Sequence, residues 1–518
     1  MTRNRILQLA LSLTLLLHAS SVQLFAQNNT NGLPWPDFRQ WLAQELAEPR
    51  FQRALWGVKI VSQDTGEVVF SHDDQRLMSP ASNSKLYTVA LGLDVLGPEY
   101  RIRTSLYSDK KPNRQGVLAG DLVVYGRGDP TFNAKLHGGD ILKALEPLVF
   151  ALTNAGVKRI KGNLVADETF FRGSAFGSGW TWDDAQNYYG AEISALTINE
   201  NYLELTVKPG IPAGDKPVPC ELALSPATSC IVLSNRTVTV PAGGTRRITV
   251  HRPAGGNVVY VSGQMPVGEA VYREDITVHA PAKLFLDFFR QALARHGIKT
   301  GGKLRVISNR NPALAISGTN TTGMNELGFV ESPPLSEIAR LIQKPSQNLF
   351  TDLLLAHVGE VKRRANARES ETSEDLGIKE LEAFLPKAGV VRNDVLFEEG
   401  SGLSRNNLTT ARATVAVLTY ASRQSWSNAF YEALPVAGVD GTLRNRLKDT
   451  PAAGNLRAKT GSLRWAYSLS GTVTTAAGEK LIFSLMLNRF NPEPGGVGPR
   501  AEIDAIASRL AAVSSRTR

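Results

Sequence analysis

From residue 55 the chain alternates: Trp56, Val58 and Ile60 stand at every second position, Asp64-Thr65-Gly66 supplies a turn, and Val68 to Phe70 returns. A period of two marks a half-buried strand, so residues 55–70 predict a hairpin. After Ser82 the period changes. Leu86, Val89, Ala90, Leu93 and Leu96 recur at helical spacing and stop at Gly97-Pro98, which predicts a buried helix of about four turns with Ser82 at its start. The far end has the same character: residues 467–474 and 480–488 flank Ala476-Ala477-Gly478 as a second hairpin, and residues 501–510 follow as an amphipathic helix. Helices also begin at about residue 334. Leu335, Ile338, Leu341 and Ile342 mark one apolar face, and Leu349, Phe350, Leu353, Leu354 and Val358 another.

Between the two ends lies a weak repeat. Residues 147–165 read as an amphipathic helix (Leu148, Val149, Leu152), then Ala155-Gly156-Val157-Lys158, then a strand ending Gly162-Asn163-Leu164-Val165. Residues 282–306 follow the same plan, with Leu284, Phe288 and Leu293, then His296-Gly297-Ile298-Lys299, then Gly302-Lys303-Leu304-Arg305-Val306. Two like units far apart predict one domain interrupted by an insertion. The insertion, residues 170–273, is strand-rich, with runs such as Leu203-Glu204-Leu205-Thr206-Val207 and Thr237-Val238-Thr239-Val240. The simplest topology is an α/β domain made from both ends, residues 27–100 and 320–518. It holds a second domain, residues 101–169 and 274–319, which in turn holds a β-rich third, residues 170–273.

Length and composition fit this picture: 518 residues, 42% apolar and 20% charged, describe a folded chain with room for about three domains. The +10 charge is scattered, with no Lys/Arg cluster interleaved with aromatics, so nucleic acid is not an expected partner and an anionic envelope polymer fits as well. Residues 1–26 have the layout of a signal peptide: Arg3 and Arg5, an apolar run over 6–17, then Leu24-Phe25-Ala26. That predicts export to a periplasmic or extracytoplasmic location, with no transmembrane anchor after cleavage; the alternative is an uncleaved anchor helix. Cys220 and Cys230 are either a local disulfide or two unpaired thiols. His72, His279 and His357 have no metal-ligand spacing, and neither metal nor another cofactor is expected.

Three short motifs offer chemistry. In Ser82-Asn83-Ser84-Lys85 a serine at a helix start is followed three residues later by a lysine on the same face, within reach of its oxygen. A neutral lysine could take the serine proton, provided its pKa falls well below the free value of ~10.4. The alternative is a plain helix cap, and Ser108-Asp109-Lys110-Lys111 repeats the spacing in a polar turn. Ser346-Gln347-Asn348 opens an apolar helix; its hydroxyl could pass protons and its amide could hold a substrate carbonyl or the lysine, with Ser404-Arg405-Asn406 as a decoy. Lys459-Thr460-Gly461 begins the terminal strand. The lysine and threonine there can bind a carboxylate and the glycine lets a substrate backbone approach, whereas Lys299-Thr300-Gly301 lies in a turn of the repeat. No Gly-x-Ser-x-Gly elbow is present.

The ordered set serine-x-x-lysine, serine-x-asparagine, lysine-threonine-glycine resembles the penicillin-binding and serine β-lactamase constellation. The resemblance narrows with Gly126-Arg127-Gly128-Asp129-Pro130-Thr131, Trp180-Thr181-Trp182-Asp183-Asp184, Gly400-Ser401-Gly402-Leu403-Ser404-Arg405 and Lys459-Thr460-Gly461-Ser462-Leu463. Together they resemble the D-alanyl-D-alanine carboxypeptidase/endopeptidase family, the class C low-molecular-mass penicillin-binding proteins. That family implies a transpeptidase/β-lactamase-like α/β split domain, with an antiparallel sheet and flanking helices, interrupted by two nested domains. It also implies hydrolysis of D-Ala-D-Ala, and of D-Ala-diaminopimelate cross-links, in peptidoglycan peptides, with β-lactams as covalent inhibitors.

Carried over, Ser82 is the nucleophile, Lys85 its base, Ser346 and Asn348 the proton shuttle and substrate-holding amide, and Lys459 and Thr460 the carboxylate site. The Lys459 cation is expected to depress Lys85. The backbone N–H groups of Ser82 and Ser462 form the oxyanion hole, and Gly461 and Arg405 belong to the substrate side. Asp184 and Tyr189 match a side pocket, where Asp184 pairs with a diaminopimelate ammonium or merely caps a turn. Arg464 departs from the family's neutral residue and either repels that ammonium or binds the diaminopimelate carboxylate; Glu399, a second departure, is expected to bear little on the chemistry. Two rival functions share these residues: a β-lactam sensor that is acylated without turnover, and a β-lactamase, against which the long insertions argue.

Overall fold

Both hairpins join one sheet. In the computed structural model, which describes residues 32–211, 218–309, 323–364, 367–368 and 370–517, the chain opens with helix α1 (Trp35–Leu46), strands β1 (Leu55–Ser62) and β2 (Val68–His72) and helix α2 (Ser84–Leu96). After the insertions come helices α3 (Leu335–Gln343), α4 (Asn348–Val361) and α5 (Ser373–Phe384). Strands β3 (Arg457–Leu463), β4 (Ala466–Thr474) and β5 (Lys480–Asn488) and helix α6 (Pro499–Ala511) close the chain. The five strands form an antiparallel sheet in the order β3-β4-β5-β1-β2, so the two chain ends meet where β1 pairs β5, from Leu55 opposite Asn488 to Ser62 opposite Leu481. The expected signal segment, residues 1–26, lies outside the described residues.

Period-two alternation then sorts the side chains into two layers. Val58 and Ile60 of β1 and Leu481, Phe483, Leu485 and Leu487 of β5 pack with Phe38 and Leu42 of α1 and Ile503, Ile506 and Leu510 of α6. On the other face Val61 and Ile482 join a core built from α2, α3 and α4. Helix α2 is buried on every side from Ser84 to Leu93 and ends at Gly97, whose φ of +85° suits glycine, before Pro98. A helix with no solvent face is a rigid post, and the serine-x-x-lysine motif sits at its N-terminal end.

The repeat is visible as paired elements. Strand Leu304–Asn309 runs parallel to Leu164–Arg172, with Leu304 opposite Leu164 and Val306 opposite Ala166, and the short strands Lys299–Thr300 and Arg159–Ile160 pair in the same way. The helices that precede them, Ile141–Asn154 and Pro281–Arg295, share one core. The first starts earlier than the apolar pattern suggests: Asp140 accepts from the Leu142 N–H as its cap, and Pro147 lies inside the helix rather than at its start. The strand-rich stretch also begins later. Residues 173–201 carry only 3-10 turns, and strands resume at Tyr202–Lys208. Cys220 and Cys230 are both free thiols. Among the described residues no helix is long and apolar enough to cross a membrane.

Candidate active site

Ser82 sits in a 3-10 turn, Ala81–Asn83, that feeds directly into α2. The turn is pinned to β4: Ser468 Oγ donates to the Pro80 carbonyl at 2.7 Å and Asn83 Nδ2 donates to Ser470 Oγ at 2.6 Å. One turn of helix carries the side chain of Lys85 back toward Ser82, which is the spacing the sequence predicts. Lys85 Nζ lies 3.0 Å from Ser82 Oγ, 2.7 Å from Asn348 Oδ1 and 2.6 Å from the Ser401 carbonyl. Two of these three neighbours can only accept. A neutral amine therefore spends both N–H bonds on Asn348 and Ser401 and aims its lone pair at the Ser82 hydroxyl. Burial lowers the Lys85 pKa to about 8, against the opposing charges of Asp352 and Glu399.

The second motif meets the first at the start of α4. Ser346 has φ +64°, left-handed for a non-glycine residue, and this turns its hydroxyl toward β3, where Lys459 Nζ donates to Ser346 Oγ at 2.8 Å. Asn348 spends its Nδ2 on the Tyr189 carbonyl at 2.9 Å, which fixes its Oδ1 toward Lys85. Gln347, the middle residue, donates from Nε2 to Glu200 Oε2 at 2.6 Å and ties the motif to the inserted region. Lys459 is fully buried, and its pKa is held well below the ordinary lysine value by burial first and the Lys85 charge second. Desolvation is the main cause at both lysines, and the repulsion between the two cations, expected to depress Lys85, adds to it at Lys459.

These groups face a cavity of about 900 Å³, lined by Ser82, Ser346, Asn348, Thr460, Ser462 and Arg464 from the split domain and by Asp184, Tyr189 and Tyr202 from the inserted part. β3 is the edge strand of the sheet; residues 435–437 cover its outer side at Arg457 and Ala458, and the part that lines the cavity runs from Thr460 to Leu463. Thr460 Oγ1 donates to or accepts from Thr442 Oγ1 at 2.8 Å, and Arg500 donates to Ser462 Oγ at 3.3 Å. The guanidinium of Arg464 stands 5.6 Å from the Trp465 ring centre.

Several expectations change. A Cβ on Gly461 would collide with the Pro80 carbonyl and with Ser468, so its bareness serves the turn that carries Ser82 rather than a substrate backbone. Asp184 is 2% exposed and already engaged: its Oδ2 accepts from the Thr181 N–H at 2.8 Å, from Thr181 Oγ1 at 2.7 Å and from Arg405 Nη1 at 2.9 Å. It therefore reaches the cavity as half of an ion pair, not as a free carboxylate. Two decoys stand apart, and the third reaches the cavity only through Arg405. Lys299 and Thr300 form a two-residue strand in the inserted part, Ser108 ends a strand there, and Asn406 Nδ2 bonds Glu398.

Two residues were missed. Asp352, inside α4, and Glu399, which the sequence reading set aside, are buried carboxyl groups behind Lys85. The available signal was a lone acid in the apolar run Leu349 to Leu355, since an acid is seldom fully buried without a task.

Known proteins similar to this chain point to one family. The chain is 32% identical over 490 residues to a D-alanyl-D-alanine carboxypeptidase of Actinomadura sp. strain R39, covering 93% of this chain and 86% of that one. It is 26% identical over 434 residues to the D-alanyl-D-alanine carboxypeptidase DacB of Haemophilus influenzae, covering 82% and 83%. The crystal structure of penicillin binding protein 4 from Haemophilus influenzae superposes with a TM-score of 0.74 at 25% identity, over 91% of this chain and 98% of that one. Residues 38–512 match the model of the D-Ala-D-Ala carboxypeptidase 3 (S13) family. With the match spanning most of its length, the chain belongs to the D-Ala-D-Ala carboxypeptidase 3 (S13) family of serine peptidases.

Proposed function

We propose that this serine D-Ala-D-Ala carboxypeptidase acts through an acyl-enzyme on Ser82, with Lys85 as its base. The observation that carries the reading is the placement of Lys85 Nζ, 3.0 Å from Ser82 Oγ with its other two contacts taken by acceptors. The Ser82 proton passes to Lys85 as Oγ attacks the penultimate D-alanine carbonyl, and the new oxyanion lies between the backbone N–H groups of Ser82 and Ser462. Lys85 returns that proton, by way of Ser346 Oγ, to the departing amine, the C–N bond breaks, D-alanine leaves and Lys85 is neutral again, while Ser346 stays oriented by its bond to Lys459. Asn348 holds the base and the substrate amide. Lys459 and Thr460 bind the terminal carboxylate, with Ser462 beside them on the open edge of β3. Water then releases the acyl group. A β-lactam follows the first half of this path, but its amide is part of a ring, so the leaving amine stays tethered. The name of the Haemophilus relative, penicillin binding protein 4, supports that outcome.

The physiological substrate on this reading is a peptidoglycan peptide, met outside the cytoplasm, in keeping with the export signal expected over residues 1–26. Arg405, whose side chain is 43% exposed, and Asp184 offer both signs of charge in one side pocket with Tyr189. Such a pair fits the zwitterionic end of diaminopimelate, ammonium plus carboxylate, and Arg464 adds a cation on the leaving-group side, suited to a cross-linked peptide and hence to endopeptidase cleavage. The test is release of D-alanine from a purified muropeptide. Turnover with a stable penicillin adduct supports the peptidase. Acylation by penicillin with no release from peptide would mark a sensor, and rapid loss of the penicillin adduct a β-lactamase.

A further inference from the structure

Behind Lys85 two fully buried carboxyl groups grip one short turn. Glu399 accepts from the N–H and Oγ of Ser401, from the Gly402 N–H at 2.7 Å and from Asn407 Nδ2 at 2.8 Å. Asp352 Oδ1 accepts from the Gly400 N–H at 3.2 Å, while its Oδ2 is buried with no hydrogen-bond partner. The carbonyl of Ser401, in the middle of that turn, is the one that holds Lys85 Nζ. The two carboxyls are thus unlike. Glu399 has the set of donors that stabilises a charge, and Asp352 has a bare oxygen, which for an anion in a dry site carries the full desolvation cost.

We propose that Asp352 and Glu399 are positioning residues that hold the Gly400 to Gly402 turn behind Lys85 as one acid and one anion, Asp352 carrying the proton and Glu399 the charge. The proposal rests on Lys85 being the base. Each ionised carboxylate favours charged Lys85, so a proton held on one of them shifts the balance further towards the neutral amine that can accept the Ser82 proton. The charged groups around Asp352 are consistent with this. Burial first, then Glu399 and Glu374 on α5, oppose its ionised form, whereas Lys85 on α2 and the Ser401 hydroxyl favour it, and the net direction is upward. Lys459 on β3 also senses the Lys85 charge, which opposes its own protonation.

The test is infrared spectroscopy of the full enzyme in D2O at neutral pD. Wild type minus Asp352→Asn should show the carbonyl stretch of a protonated carboxyl, and labelling wild type with carboxyl-13C aspartate should move that same band. A carboxylate band lost in Asp352→Asn, or no protonated band that moves on labelling, overturns the proposal; the labelling needs no variant to fold. In penicillin acylation, Glu399→Gln should lower the midpoint of the acid limb by about one pH unit, because it removes the anion that favours charged Lys85, while Asp352→Asn should leave the midpoint within ~0.3 unit. Equal shifts in both variants contradict the assignment. Failure of the parent reading looks different: acylation would persist in Lys85→Ala with the infrared result intact.

Discussion

The bare Cα of Gly461 and the carbonyl oxygen of Pro80 compete for one space: a Cβ on Gly461 would stand 2.5 Å from that oxygen, and closer still to Ser468 Oγ. The edge strand and the nucleophile turn are therefore packed backbone to backbone. Gly461→Ala must push the turn and Ser82 with it. Overpacking of this kind costs ~1–3 kcal/mol, and a nucleophile displaced from its base should lose at least ~10-fold in acylation rate. Thermal unfolding and labelled-penicillin kinetics measure the two effects. An unchanged acylation rate would mean that the strand and the turn are not coupled.

The two lysine-threonine-glycine copies should differ in kind. Lys459 is buried against Ser346, whereas Lys299 lies on a two-residue strand of the inserted part. Loss of a charged contact in the site should make Lys459→Ala at least ~100-fold slower in acylation, with Lys299→Ala within ~2-fold of wild type. Comparable losses would place the reactive strand elsewhere.

The pH profile follows from Lys85. Its pKa of about 8 lies below that of a free lysine, so the neutral fraction, and with it acylation, rises as pH passes through 8. The linkage has the same sign: between 8 and the free value of ~10.4 the unfolded chain holds a proton that the folded one has released, so the Lys85 contribution to stability also rises with pH there. Acylation rates that are flat from pH 6 to about 9 would contradict Lys85 as the base.

The Asp184–Arg405 pair should matter to substrate choice. Arg405→Ala leaves Asp184 a buried anion without its cation and removes the partner for a side-chain carboxylate, so kcat/KM should fall ~10-fold or more for a diaminopimelate muropeptide and less for its lysine counterpart. Equal falls for both substrates would show that the pair is structural only.

What the sequence made legible was local. The spacing of Ser82 and Lys85 on one helix face, the stop at Gly97 and the two hairpins each depend on neighbours a few residues away, and each stands where the pattern puts it. What it hid depends on distant contacts. Glu399 looks like a loop acid until Asn407 and the Ser401 turn close around it, Asp184 looks free until Arg405 arrives from 221 residues away, and Gly461 looks like a substrate edge until Pro80 fills it. Pro147 misled in the opposite direction, because proline favours a helix start and here sits in an interior whose cap is Asp140.

The central claim is that Ser82 is acylated, and mass mapping of the labelled-penicillin adduct tests it most directly. The account predicts a single modified peptide containing Ser82, abolished in Ser82→Ala while the thermal transition is retained. An adduct on Ser346, Ser108 or any other serine, or labelling that survives Ser82→Ala, would contradict it.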